Sequence, residues 1–119
     1  MWIKALSDCA EFEAGDHTIL RELFNPEHDP LNLRYSLAHA KLAPGNWSTL
    51  HRLKSSEVYY ILSGNGRMEI DGEQRDVSAG DAVYIAPDAR QRILSVGPSM
   101  LEFLCIVDPA WRPQDEAIL

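Results

Sequence analysis

A histidine, a carboxylate and an amide stand out in this sequence because folding can bring them to one place. His51 and Leu53 lie two residues apart, so on a strand they project from the same face. A turn returns the chain, and Glu57 opens the next run, Glu57-Val58-Tyr59-Tyr60-Ile61-Leu62, from the same side. Tyr59 and Ile61 share the Glu57 face, which makes the Tyr59 hydroxyl a candidate for the same pocket. Gln91 belongs to a distant strand, as a site assembled by folding requires. A carboxylate inside a protein is costly alone, so Glu57 needs a metal, a protonated His51, an arginine or a raised pKa. Such a group can move protons, and Glu57 and Tyr59 are the candidate catalytic residues. The Gln91 amide can accept, donate or ligate.

The elements that position these groups are short. Glycine and proline punctuate the chain, and between them lie runs rich in Val, Ile, Leu, Tyr and Thr. The predicted strands are 17–23, 33–42, 57–62, 67–70, 73–77, 81–85, 90–95 and 100–107. Asp71-Gly72 is a strong hairpin signal, because both residues accept a positive φ. After Pro109 the tail is expected to be an ordered arm or a short helical turn. No amphipathic helix longer than two turns is predicted. This rhythm reads as an all-β sandwich or barrel, and a jelly roll hides its strand edges at about this length.

Two stretches carry a resemblance. The first runs Gly45, five residues, His51, Leu53, Glu57, six residues, Gly64. The second runs Gly80-Asp81-Ala82-Val83-Tyr84-Ile85-Ala86-Pro87-Asp88-Ala89-Arg90-Gln91. Together they resemble the two motifs of the cupin superfamily. The resemblance implies a double-stranded β-helix, or jelly-roll barrel, in a single domain over 1–119. The motif region covers about 33–107, with arms at 1–32 and 108–119. It also implies one divalent metal on two His and a Glu from the first motif and a His from the second. His51 and Glu57 match; Leu53 and Gln91 stand where the other two His belong. Asp88, Ala86 and Ser95 replace the motif's Gly, Pro and Asn. The remaining set, His51, Glu57 and Gln91, offers one nitrogen and two oxygens, a weaker site for Mn, Zn, Ni or Fe. The two-His-one-carboxylate triad of oxygenases is not available from these positions. His39 would restore it only by entering the barrel, and Ala38, Ala40 and Leu42 take the buried phase instead. The resemblance thus implies a sugar-like or keto-acid ligand, with isomerase, epimerase or lyase chemistry favoured over dioxygenation. The alternatives are a metal-free binding or sensing module and a structural homodimer with a vestigial pocket.

Composition narrows the partners. Eleven Lys and Arg against eighteen Asp and Glu give a net charge of −7 over 119 residues, which disfavours nucleic acid. No apolar run reaches the ~20 residues that a membrane helix needs, so no membrane partner is expected. Cys9 and Cys105 form no metal-binding spacing and, with no apolar leader after Met1, suggest free thiols in the cytoplasm. Phe103 and Cys105 share a face and are expected to line the barrel, Cys105 as an inert thiol. His17 and His28 are assigned to the surface, and Asp8, Glu11, Glu13 and Asp16 to a solvated acidic face. The apolar termini (Trp2-Ile3, Trp111 and Ile118-Leu119) suit contact with a second copy in a homodimer.

Overall fold

The computed structural model describes residues 1–119. The strands are β1 (Glu11–Glu13), β2 (Ile19–Phe24), β3 (Ser36–Leu42), β4 (His51–Leu53), β5 (Ser56–Ser63) and β6 (Asn65–Ile70). They continue as β7 (Glu73–Ser78), β8 (Ala82–Ile85), β9 (Gln91–Ser95), β10 (Leu101–Asp108) and β11 (Glu116–Ile118). Two antiparallel sheets result, one in the order β1-β2-β3-β10-β5-β8 and the other in the order β11-β4-β9-β6-β7. The all-β jelly-roll expectation holds. No helix is long and apolar enough to cross a membrane.

Strict alternation explains the core. Leu101, Phe103, Cys105 and Val107 of β10 point inward, as do Glu57, Tyr59 and Ile61 of β5 and Gln91, Ile93 and Ser95 of β9. One end of the barrel is packed with apolar side chains, including Ile61, Ile85, Ile93, Leu101 and Phe103, all at most 1% exposed. The inward positions at the other end mix polar side chains, among them His51, Glu57 and Gln91, with apolar ones such as Leu53 and Val107. His39 points to the opposite face of β3 from Ala38 and Ala40, and its Nε2 lies 3.3 Å from Glu102 Oε1.

Turn chemistry sets the registers. Asp71 and Gly72 both take positive φ, +49° and +85°, and close the β6–β7 hairpin with Ile70 opposite Glu73. Asp88 stands at the motif's glycine position and keeps a left-handed backbone, φ +65°. Two short strands, β1 and β11, escape the sequence prediction, and β4 is read only through the His51–Leu53 spacing. Each has only three residues, too few to show a period. The tail does form a helical turn, Pro113–Asp115, and then adds β11 beside β4.

Gly64 is the single residue between β5 and β6, where the chain leaves one sheet for the other. Its φ is +85°, and a Cβ there would lie 2.5 Å from the Met100 carbonyl oxygen and 2.9 Å from Leu101 Cα. Gly45 has the same φ with nothing within 4 Å. Gly45→Ala is therefore expected to cost about 1 kcal/mol, from backbone strain alone. Gly64→Ala adds a steric term of about 1–3 kcal/mol. Urea unfolding of both variants measures the difference; equal losses would contradict the close approach.

Candidate functional site

The sheets deliver the predicted residues from opposite sides. β4 lies between β11 and β9, with His51 opposite Gln91 and opposite Ile118. β5 sits in the other sheet, with Glu57 opposite Val107 on β10 and Ile85 on β8. The side chains meet inside. Gln91 Nε2 donates to Glu57 Oε1 at 3.0 Å, and the Tyr59 hydroxyl donates to Gln91 Oε1 at 2.9 Å. His51 Nδ1 donates to the Thr49 carbonyl oxygen at 2.8 Å, because a carbonyl can only accept. Its Nε2 makes no hydrogen bond; the nearest carboxylate oxygen, Asp16 Oδ2, is 3.7 Å away.

These groups face a cavity of about 170 Å³ at the polar end of the barrel. His51, Leu53, Glu57, Tyr59, Phe103 and Cys105 line it, and Gln91 is wholly buried just behind. His39 does not line it. Three further lining residues were not predicted as part of a site. Asp16, assigned to a solvated face, is buried: its Oδ1 accepts from both the backbone N–H and the hydroxyl of Thr18, which folds the carboxylate inward. The Asp-x-Thr spacing was the available signal for that local turn. Glu116 enters from β11, opposite Leu53. Trp111, one of the apolar residues expected to suit contact with a second copy, lines the cavity, with its backbone N–H held by Ser36 Oγ at 3.0 Å.

Electrostatics follow from burial. Glu57 is pushed up to about 8, chiefly by loss of solvent; Gln91 opposes the shift, and the nearby Asp16 and Glu116 add to it. It is therefore a neutral acid at pH 7. Burial also raises Glu116, against the pull of His51. Burial lifts Tyr59 well above the usual phenol range, so it remains a neutral donor. Burial likewise raises the Cys105 thiol, in keeping with an inert sulfur.

Residues 38–107 match the family model of the cupin domain, well over half of the chain. The chain belongs to the cupin family. An uncharacterized protein of Methanocaldococcus jannaschii is 37% identical over 105 residues, 87% of this chain and 83% of that protein. An oxalate-binding protein of Thermotoga maritima is 34% identical over 71 residues, 59% of each chain. A dimethylsulfoniopropionate lyase of Ruegeria pomeroyi is 37% identical over 67 residues, 56% of this cupin and 43% of the lyase. Among solved structures, a predicted oxalate decarboxylase of Thermotoga maritima superposes with a TM-score of 0.80 at 23% identity, covering 91% of this cupin and 99% of that chain. A cupin 2 conserved barrel domain protein of Salinispora arenicola gives 0.79 at 20% identity, covering 96% and 91%. These structural likenesses establish the fold.

The metal implied by the cupin motifs meets a donor set that does not fit it. Leu53 offers no donor atom. Gln91 turns its N–H toward Glu57 and commits its oxygen to Tyr59. No three His, Cys, Asp or Glu side chains converge as a metal requires. Gln91 and Glu57 are joined to each other by a hydrogen bond, whereas His51 bonds only the Thr49 carbonyl oxygen.

A testable consequence is the pH dependence of stability. Between the ordinary carboxyl value of 4.5 and about 8, the folded chain retains a proton on Glu57 that the unfolded chain has lost. Stability therefore falls as pH rises through that window, by at most about 1.4 kcal/mol per pH unit from this group. Glu57→Gln is expected to flatten that slope and to exceed the wild type in stability near pH 8. Chemical denaturation at several pH values checks this; parallel slopes would contradict it.

Proposed function

We propose that this cupin binds one small polar organic molecule in the barrel, without a metal centre of its own. The observation that carries this reading is the cavity: it opens onto a free imidazole nitrogen, a neutral carboxylic acid and a set of aromatic walls. Sites of that make-up bind small molecules through a few placed polar groups and apolar packing. A sugar-like molecule suits these hydrogen-bonding groups. A keto acid suits them less well, since no Lys or Arg lines the cavity to meet its carboxylate. The same holds for a dianion such as the oxalate in the Thermotoga relative's name.

One feature supports turnover as a second reading. A proton donor, Glu57, and a proton acceptor, His51 Nε2, face the same space. That pair suits acid–base isomerisation, epimerisation or elimination. The Ruegeria relative is a lyase by name. On this reading Glu57 protonates the substrate or leaving group, His51 removes a proton, and Tyr59 fixes the Gln91 amide that holds Glu57.

The chain is further proposed to act as a cytoplasmic homodimer, with both cysteines unbridged. Tyr60, Leu62 and Tyr84 form an exposed apolar row on the outer face of β5 and β8, 43%, 43% and 66% exposed, suited to a second copy.

Thermal-shift screening with sugars, keto acids and small alcohols tests the binding reading. A ligand at a hundredfold over its Kd stabilises by about 2.7 kcal/mol. The expected result is stabilisation in the wild type, lost in both Leu53→Trp, which fills the cavity, and His51→Ala. Undiminished stabilisation in both variants would place the site elsewhere. Elemental analysis is expected to find Mn, Zn, Ni and Fe well below one ion per chain; a full equivalent removed by His51→Ala would overturn the metal-free reading. Size exclusion is expected to give twice the chain mass, reverting to monomer in Leu62→Asp; a monomeric wild type would reject the dimer.

A further inference from the structure

The ionisable lining of the cavity is one-sided. Among nineteen lining residues there are five carboxyl side chains, Glu13, Asp16, Glu22, Glu116 and the proton-retaining Glu57, and no Lys or Arg. Two of the five have external partners. Glu13 Oε1 lies 2.8 Å from His17 Nδ1, and Glu22 Oε1 lies 2.6 Å from His28 Nδ1, both histidines being on the surface. Asp16 and Glu116 have no such partner, and His51 is the one basic side chain that lines the cavity with them.

A second observation is independent of that count. His51 is 3% exposed, its Nδ1–H is committed to Thr49, and its Nε2 is aimed into the cavity without a hydrogen bond. In the neutral ring that nitrogen is a lone pair. Asp16 Oδ2 stands 3.7 Å away, so two acceptors face each other with no donor between them. Both acceptors open onto the cavity, and a ligand bearing several N–H groups satisfies both.

The walls define the rest of the ligand. Phe12, Tyr59, Phe103 and Trp111 border the space, with Leu20 and Leu53 beside them. Tyr59 and Phe103 pack at a centroid distance of 4.5 Å. Aromatic faces attract a desolvated cation, and aliphatic walls take its apolar substituents. An inorganic cation does not use such walls, and the carboxyl groups do not converge into a three-ligand site. Resting on the proposed small-molecule site, we infer that its ligand is a small organic cation: an ammonium group with a short apolar substituent. The ammonium donates to His51 Nε2 and Asp16 and sits within the field of Glu116, and the substituent lies along the aromatic walls.

Calorimetric titration of the full chain with n-butylammonium, n-butanol and butyrate tests this, because the three match in length and differ in charge. The expected order is butylammonium first, with the other two at least about tenfold weaker, the scale of one hydrogen bond to a charged group. Asp16→Asn and Glu116→Gln are each expected to weaken butylammonium about tenfold and to leave butanol unchanged. Should Asp16→Asn fail to fold, Glu116→Gln and the loss of affinity in high salt carry the test. Butanol or butyrate binding as tightly as the ammonium overturns the cation and leaves the small-molecule site standing. Mn²⁺ alone binding at one per chain, with loss in Asp16→Asn, reassigns the acidic groups to a metal and also overturns it. Binding by none of the three probes overturns it as well; the site itself then stands or falls on the Leu53→Trp and His51→Ala comparison.

Discussion

The hydrogen bond from the Gln91 amide to the Glu57 carboxyl spans the two sheets at the centre of the barrel, and much of the site's chemistry depends on it. An amide gives Glu57 a donor without giving it a counter-charge. Burial therefore dominates, and the carboxyl keeps its proton near neutral pH. The Tyr59 phenol fixes the amide by donating to its oxygen, so the nitrogen end must face the carboxyl. The two bonds together hold the amide between the phenol and the carboxyl. With Leu53 and Gln91 at the motif's other two histidine positions, the amide at position 91 makes hydrogen bonds to Glu57 and Tyr59.

The barrel divides its work along β10. Leu101 and Phe103 belong to the fully packed end, and Cys105 and Val107 continue the same face into the hollow end. Dense apolar packing at one end supplies stability, so the other end can hold buried polar groups that are individually costly. β4 and β11 close the polar end: they present His51 and Glu116 to the cavity, and the loop before β2 adds Asp16.

Much of the fold was legible because alternation is strong where strands are long. β5, β9 and β10 reveal their inward faces in the sequence, and Asp71-Gly72 announces its hairpin. The placement of His51, Glu57, Tyr59 and Gln91 around one interior followed from the same period and from the cupin motifs. The rest was hidden for physical reasons. β1 and β11 are too short to carry a period; β11 exists through pairing with the distant β4. Asp16 sits in an acidic run that reads as solvated, and only its local turn with Thr18 draws it inward. Glu116 and Trp111 come from a tail whose docking is a tertiary event. The motif's missing histidines were visible, whereas the hydrogen bonds of Gln91 depend on how the two sheets face each other.

The account is tested most directly by the protonation state of a single carboxyl group. Following the side-chain carbonyl carbon of Glu57 by ¹³C NMR, with Glu57→Gln to assign the signal, gives its titration midpoint in the intact protein. The structure predicts a midpoint near 8, with the group neutral at pH 7. A midpoint at or below the ordinary value of 4.5 would show a charged carboxylate in the barrel and would contradict the account.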